Sequence, residues 1–456
     1  MNIGFISTRF SGTDGVTLEA SKWAQVFTRN GYNCYWFAGE LDRYETTSYL
    51  APEAHFNDPT NQKINQAIFG QTQRAAQVSA LIHTQRRILK KHLYRFVQKY
   101  RIEMLVAENV LCLPMHVPLG MALSEFMAET QIPMIAHHHD FYWERERYMR
   151  NAVGDYLQMA FPPRLTNIAH TVINSTAREE LARRCGISST VVPNVIDYQN
   201  PPVVDQQIAR SFRDHMGIGP DEIMILQPTR VVQRKGIEHA INLAKALDRQ
   251  DRKCKLVISH QAGDEGFDYA EWLDDYARSQ AVDLIFVETH LCDPWGADTC
   301  RYPQFSLWDV YPGADFVTYP SLYEGFGNGF LEAIYFKRPL LVNRYATFAK
   351  DIEPLGFNVV TMDGFLTGDA VAQVNRLLDS ERLRDQVTTH NYNIAWKHFS
   401  YEALQTQLNT AMTELFGDRF TRLTVGSETP AAVHTQEQEQ IEKKLPAKVP
   451  WAKAYN

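Results

Sequence analysis

The sequence predicts an α/β protein built from two doubly wound, Rossmann-like halves that face each other across a cleft. Three observations lead there. Apolar runs of strand length alternate with helical patterns along most of the chain, the alternation restarts after a proline-rich polar stretch near residue 200, and glycine-containing loops open helices in both halves. With 456 residues, 45% apolar and 22% charged, the chain is long enough for two separate cores.

The first half opens on Met1-Asn-Ile-Gly-Phe-Ile, a strand, followed by a Ser/Gly/Thr/Asp loop to Gly15 and a helical pattern from Val16 to Asn30 closed by Gly31. A strand at Tyr32 to Ala38, a long irregular polar stretch and a helix from about Gln73 to Tyr100 come next. Apolar runs at Met104 to Ala107, Pro133 to His137 and Thr171 to Asn174 supply further strands. Val191-Val-Pro-Asn-Val-Ile-Asp197 and the Tyr-Gln-Asn-Pro-Pro after it read as a linker.

In the second half the strand-like runs are Ile223 to Leu226, Leu256 to Ser259, Leu284 to Val287, Phe316 to Tyr319 and Leu340 to Asn343. Helices are expected at about Gly236 to Asp248, Asp268 to Ser279 and Gly329 to Phe336. The predicted division is a domain over 1–200, a second over 201–393, a helix over 394–416 returning to the first, and a polar, mobile tail over 417–456.

Several function classes fall away on composition. No apolar run approaches a membrane span and no signal-like segment opens the chain, so a cytoplasmic protein is expected. A formal charge of -7 argues against general nucleic-acid binding. The six cysteines, Cys34, Cys112, Cys185, Cys254, Cys292 and Cys300, lack metal-site spacing and read as thiols in a reducing compartment.

Two loops of the second half carry the chemistry. Pro320-Ser-Leu-Tyr-Glu-Gly-Phe-Gly-Asn-Gly-Phe-Leu-Glu-Ala333 follows a strand and runs into a helix. Its glycines let backbone amides approach a ligand, and the helix N-terminus favours phosphate. Glu324 and Glu332 can address hydroxyl pairs on two parts of one ligand, such as a sugar and a ribose. Gln227-Pro-Thr-Arg-Val-Val-Gln-Arg-Lys-Gly236 places Arg230 and Lys235 in one loop, compact positive charge of the kind a diphosphate needs. Taken alone, each loop also reads as an ordinary turn, capped or solvated.

In the first half, Ser11-Gly-Thr-Asp-Gly15 reads as a phosphate-facing loop or a tight strand-to-helix turn. Ala136-His-His-His-Asp-Phe-Tyr-Trp-Glu-Arg-Glu-Arg147 follows a strand, and its adjacent histidines alternate faces and cannot all converge on one metal. Trp143, Arg145 and Arg147 combine a ring with cations, a set suited to a sugar bearing an acid group. Glu108 and Asn109, at another strand end, are candidate acceptor contacts. Arg86, Arg87, Lys90 and Lys91 form a basic helix face, with Leu81, Ile82, Leu89, Leu93 and Phe96 opposite. That face allows membrane contact, although a solvated role is favoured.

The segment from Pro320 to Ala333 resembles the Glu-seven-residues-Glu motif of the family 4 retaining glycosyltransferases, and the resemblance extends to about Leu415. It implies the two-domain GT-B architecture, a nucleotide diphosphate sugar as donor, no cofactor and no catalytic metal. It further implies that Glu324 contacts the donor hexose, Glu332 the ribose, and Arg230 with Lys235 the departing diphosphate. Gly15, Gly325, Phe326, Gly327 and Asn328 would line the donor. His139, in the His139-Asp140 pair, resembles the family's histidine beside the donor sugar. The expectation is transfer of mannose or glucose to a small, anionic, soluble acceptor such as a glycerate derivative. Transfer to a lipid-linked or polysaccharide acceptor and an inactive sugar-nucleotide-binding protein are the alternatives. A glycogen-type phosphorylase finds no support.

Overall fold

The computed structural model describes residues 1–417 except 13, 202–204, 251, 261–266, 288–304 and 306. Thr13 of the first glycine loop, Cys292, Cys300 and the expected tail from 418 onward lie outside the described residues. Cys34, Cys112, Cys185 and Cys254 are free thiols. The chain divides into two compact units: Met1–Val195 together with the segment that begins at Tyr401, and Ile196–Ser400. The divisions fall a few residues from the expected 200 and 393. The Ile196 amide donates to the Phe399 carbonyl at 2.9 Å, which ties the two ends of the second unit together.

The strands of the first unit are β1 (Asn2–Ile6), β2 (Asn33–Ala38), β3 (Ser48–Leu50), β4 (Met104–Glu108), β5 (Met134–His138), β6 (Ile168–Val172) and β7 (Thr190–Val191). All are parallel, in the spatial order 3-2-1-4-5-6-7. Around them lie α1 (Gly15–Arg29), α2 (Pro59–Ile68), α3 (Ala76–Tyr100), α4 (Val117–Thr130), α5 (Glu146–Met149), α6 (Gly154–Ala160) and α7 (Ser175–Cys185). Strand alternation sends Ile3 and Phe5 to the face covered by Trp23 and Phe27 of α1. Ile6 and Leu105 face Leu89, Leu93 and Phe96 of α3 and Leu123 and Phe126 of α4.

Several elements differ from expectation. The irregular polar stretch contains β3 and α2, and α3 begins three residues after Gln73. The run expected at Thr171 to Asn174 is β6 at Ile168–Val172, because His170 sits inside the strand with its ring satisfied by a neighbour 2.9 Å away. Helix α4 has almost every position buried, so it offers no polar stripe from which to read a helical period.

The cations of α3 do not form one face. Arg86 pairs with Glu125 of α4, and Lys90 bonds to Glu125 at 3.1 Å and to Glu129 at 2.7 Å, while Arg87 and Lys91 are exposed. Among the described residues no helix is long and apolar enough to cross a membrane.

The second unit has β8 (Ile223–Gln227), β9 (Cys254–Ile258), β10 (Asp283–Phe286), β11 (Phe316–Tyr319), β12 (Leu340–Asn343) and β13 (Val360–Met362). They are parallel, in the order 10-9-8-11-12-13. The helices are α8 (Gln206–His215), α9 (Ile237–Leu247), α10 (Asp268–Ser279), α11 (Leu307–Val310), α12 (Asn328–Tyr335), α13 (Gly368–Asp379) and α14 (Glu381–Phe399). Helix α15 (Tyr401–Phe416) belongs to the first unit, where Leu404, Leu408 and Met412 join the core under α1.

The strand order reverses between β1 and β4 in one sheet and between β8 and β11 in the other. Loops leaving the carboxyl ends of neighbouring strands diverge at such a point, and that is where doubly wound sheets hold ligands.

Candidate active site

In the second unit the loops after β8 and β11 flank the reversal and lock together. Gly236 has φ +59°, and a Cβ there would lie 2.7 Å from the Pro320 carbonyl oxygen, so the close approach needs glycine. The Leu322 amide donates to the Arg234 carbonyl at 2.9 Å. From beneath, the Asn343 amide donates to the Ser321 carbonyl at 3.0 Å, and the Tyr345 hydroxyl to the Phe326 carbonyl at 2.8 Å. The glycine loop is thereby held by β12 and the turn after it.

This locking brings Lys235 and Glu324 into a buried ion pair. Tyr319 at the end of β11 donates to the same Glu324 oxygen at 2.9 Å, and Arg234 lies 3.6 Å from the other. Burial acts to raise the Glu324 carboxyl, and Lys235, Ser321 and Arg234 together outweigh it, so the group is held below the usual carboxylate range. Burial pulls the Lys235 ammonium down from its ordinary value, with Glu324 opposing. Arg230 is exposed, on the same loop.

Helix α12 begins at Asn328 with Gly327 as its cap residue at φ +122° and no side chain bonded to the cap. The cap residue itself, a glycine, carries no side-chain oxygen of the kind that Ser, Thr, Asp or Asn bring to a helix start. Glu332, one turn in, accepts from the Tyr311 hydroxyl at 2.6 Å. Phe326, expected to line the donor, is turned inward. Its ring is 3% exposed and packs on Phe399 at 5.2 Å, so it serves the core.

His260, not singled out in the sequence, follows β9 beside this loop. Burial first, then the charges of Lys235 and Arg230, push its pKa down to about 4, so it stands neutral near two cations. Tyr311 and Tyr319 were also missed. Nothing in the sequence marks a tyrosine as the partner of a particular carboxylate, although their positions at and before a strand with a site loop after it are a usable signal.

In the first unit the reversal lies between β1 and β4. Glu108, a candidate acceptor contact, is fully buried. Its Oε2 lies 3.0 Å from His137 Nδ1 and 3.3 Å from His139 Nε2. Asn109, at φ +59°, accepts from the His139 amide at 2.9 Å and from the Cys112 thiol at 3.0 Å, so its side chain shapes the loop. His138 points to the other face and meets His170 at 2.9 Å.

The alternation argument thus holds for His138, yet His137, His139 and Glu108 do converge, with their donor atoms within 4.8 Å of one another. The carboxylate oxygen stands at hydrogen-bond distance from both rings, so the three groups satisfy one another as they are.

The first glycine loop also differs from its phosphate-facing reading. Gly15 opens α1, but Asp14 caps the helix, accepting from the Val16 and Thr17 amides at 3.1 and 3.2 Å, and it pairs with Arg9 at 3.1 Å. A carboxylate already occupies the place an anion would take. Arg145 pairs with Asp140 at 2.6 Å, and Arg147 lies 4.7 Å over Tyr148. Trp143 stacks on Phe141 at 4.4 Å with Arg184 5.5 Å from its ring.

Comparison with known proteins gives the fold its class. A crystal structure of Anabaena HepE with UDP and glucose aligns with a TM-score of 0.61 at 12% identity, covering 91% of this chain and 100% of that one. Sucrose-phosphate synthase from Thermosynechococcus elongatus aligns with a TM-score of 0.64 at 13% identity, covering 91% and 99%. No known protein-family profile matches the chain. The two parallel sheets are those of the GT-B fold.

In sequence, the mannosylglucosylglycerate synthase of Thermotoga maritima is 31% identical over 442 residues, 90% of this chain and 99% of the relative. The enzyme of the same name from Petrotoga mobilis is 33% identical over 394 residues, 79% and 86%. The chain belongs to the glycosyltransferase family of these synthases, the family 4 type that its Glu-seven-residues-Glu segment resembles.

Proposed function

We propose that this protein transfers mannose from a nucleoside diphosphate mannose to glucosylglycerate, with retention of anomeric configuration and without a catalytic metal. The two relatives that match over most of their length carry that product in their names. Glucosylglycerate is a small carboxylated solute, the kind of acceptor that Arg145 and the ring of Trp143 suit.

One observation carries the chemical part: a buried lysine and an exposed arginine share a loop that is locked against the glycine loop leading into α12. Positive charge fixed before the reaction stabilises a departing diphosphate without reorganising, the task a divalent ion performs in metal-dependent transferases. In this reading Lys235 and Arg230 face the diphosphate, and the amides of Gly325, Gly327 and Asn328 support it. Glu324 accepts from donor hexose hydroxyls and Glu332 from the ribose. His139 faces the donor sugar. The acceptor attacks from the face the nucleotide leaves, with a diphosphate oxygen taking its proton.

A lipid-linked acceptor is the poorer reading, because Arg86 and Lys90 are neutralised by Glu125 and Glu129, which halves the cluster of four cations on α3. The test is a matrix of GDP-mannose and UDP-glucose against glucosylglycerate, glycerate and a polyprenyl phosphate, read as released nucleoside diphosphate. Turnover with the mannosyl donor and glucosylglycerate is expected. Turnover confined to the lipid would overturn the acceptor, and a thermal shift with sugar nucleotides but no turnover would indicate a binding protein.

A further inference from the structure

The carboxylate of Glu108 is committed to two imidazoles at the end of the first sheet. Strands β4 and β5 run side by side with Glu108 opposite His137, and alternation returns His139 to the same side. Glu108 Oε1 is buried with no hydrogen-bond partner among the described residues, so the carboxylate spends its hydrogen bonding on Oε2 and the two rings that reach it.

The two rings are not equivalent. His137 stacks on Trp23 at 4.3 Å, and its Nε2 is buried without a hydrogen-bond partner among the described residues. A second proton on that ring would sit in an apolar contact with nothing to accept it, so the hydrogen-bond pattern assigns His137 as neutral with its proton on Nδ1. His139 has its amide fixed by Asn109 and its side chain 10% exposed, which leaves one edge of the ring reachable.

The surrounding charges close a count. From α1, Glu19 pairs with Lys22, and from the loop after β5, Asp140 pairs with Arg145. Among the described residues Glu108 is left with the imidazoles, and a proton on one of them supplies its countercharge.

We propose that Glu108 is a positioning residue that holds His139 as a hydrogen-bonded imidazolium across the working pH of the enzyme, so that His139 presents a charged donor to an oxygen of the donor sugar. The inference rests on the reading of His139 as a sugar-facing group. A buried carboxylate is costly in isolation and stabilises an adjacent cation strongly, because little solvent screens the pair. The electrostatic balance agrees. Burial works to raise Glu108, yet His137 and His139 bring it down to about 2. Burial works to lower His139, yet Glu108, Glu19 and Asp140 leave it above its ordinary value, whereas His137 falls below. Loss of the Glu108 charge therefore releases the His139 proton at lower pH.

The experiment has two readouts. NMR of the full chain labelled at histidine Cε1, assigned with His139→Gln, follows the titration of His139 directly. The pH dependence of transfer from GDP-mannose to glucosylglycerate follows its consequence. In the native protein His139 is expected to titrate above an ordinary histidine. In Glu108→Gln both that titration and the alkaline limb of kcat move to lower pH together, while GDP affinity by calorimetry stays within about twofold.

Titration of His139 at or below the ordinary value in the native protein would overturn the proposal. So would an unmoved alkaline limb in a folded Glu108→Gln protein. Should that variant fail to fold, His139→Gln takes its place, with an alkaline limb that disappears expected and one that persists contradicting the proposal. If no sugar is transferred at all, the assigned function has failed, and the NMR titration still decides the charge on His139.

Discussion

Lys235 and Glu324 face each other as a buried ion pair, with side chains 8% and 9% exposed, across two loops that follow different strands of one sheet. The pair couples stability to chemistry. Removing one partner strands the other charge in a desolvated place, at a cost of about 3 kcal/mol, although Arg234 at 3.6 Å can recover part of it. Lys235→Met should therefore lower the melting temperature and reduce turnover by about 10²-fold or more. The double change Lys235→Met with Glu324→Gln should restore much of the stability and none of the activity. Full recovery of turnover in the double variant would remove Lys235 from the diphosphate.

Arg230 separates the two effects, because it is exposed on the same loop. Arg230→Ala should change folding stability by no more than about 0.5 kcal/mol and still lower turnover by about 10²-fold. Thermal melts and initial rates on one preparation check both halves. Normal rates would leave the diphosphate to Lys235 and the amides.

Gly327 tests whether the loop is as tightly held as its contacts indicate. A Cβ there would lie 2.6 Å from the Tyr345 hydroxyl oxygen, in a backbone at φ +122° that side chains rarely adopt. Gly327→Ala should cost about 1–3 kcal/mol and weaken binding of nucleoside diphosphates, with partial recovery when Tyr345→Phe opens the space. Unchanged melting would mean that the turn yields easily.

Buried neutral histidines set the acid limit of the first unit. His116 and His170 are each brought down to about 4 by burial, and His138 falls well below its ordinary value. The His116 tautomer is bound on both nitrogens, with Nδ1 accepting from the Leu119 amide at 3.2 Å and Nε2 2.8 Å from the Glu53 carbonyl. An unfolded chain takes up these protons near pH 6.5 and the folded one does not, so stability falls as pH drops from about 6.5 towards 4. His139 acts in the opposite sense, since its raised pKa adds stability below pH 6.5 that is lost as pH rises through the folded value. Denaturant midpoints between pH 8 and 5 should decline on the acid side, and a flat profile would contradict this account.

How much was legible in the sequence depends on whether a residue's role is set by its neighbours in the chain or by distant ones. Strand runs such as Phe316 to Tyr319, and the glycine loop after them, announce themselves through local pattern and were read in place. Helix α4 was invisible because it is buried on nearly all sides, and β6 was displaced because a histidine interrupts its apolar run. The same limit applies at the site. Glu324 and Glu332 carry a spacing that can be recognised, whereas the burial of Glu108 depends on His137 and His139, about thirty residues away, and on Trp23. Phe326 was assigned to the donor by its place in the motif, but its ring answers to Phe399.

The most direct test of the function is a transfer reaction between GDP-mannose and glucosylglycerate followed by proton NMR in excess EDTA. The account predicts a new anomeric signal with the α configuration of the donor, formed at a rate the chelator does not change. An inverted, β-configured product, or a reaction that stops in EDTA and resumes with manganese, would contradict it.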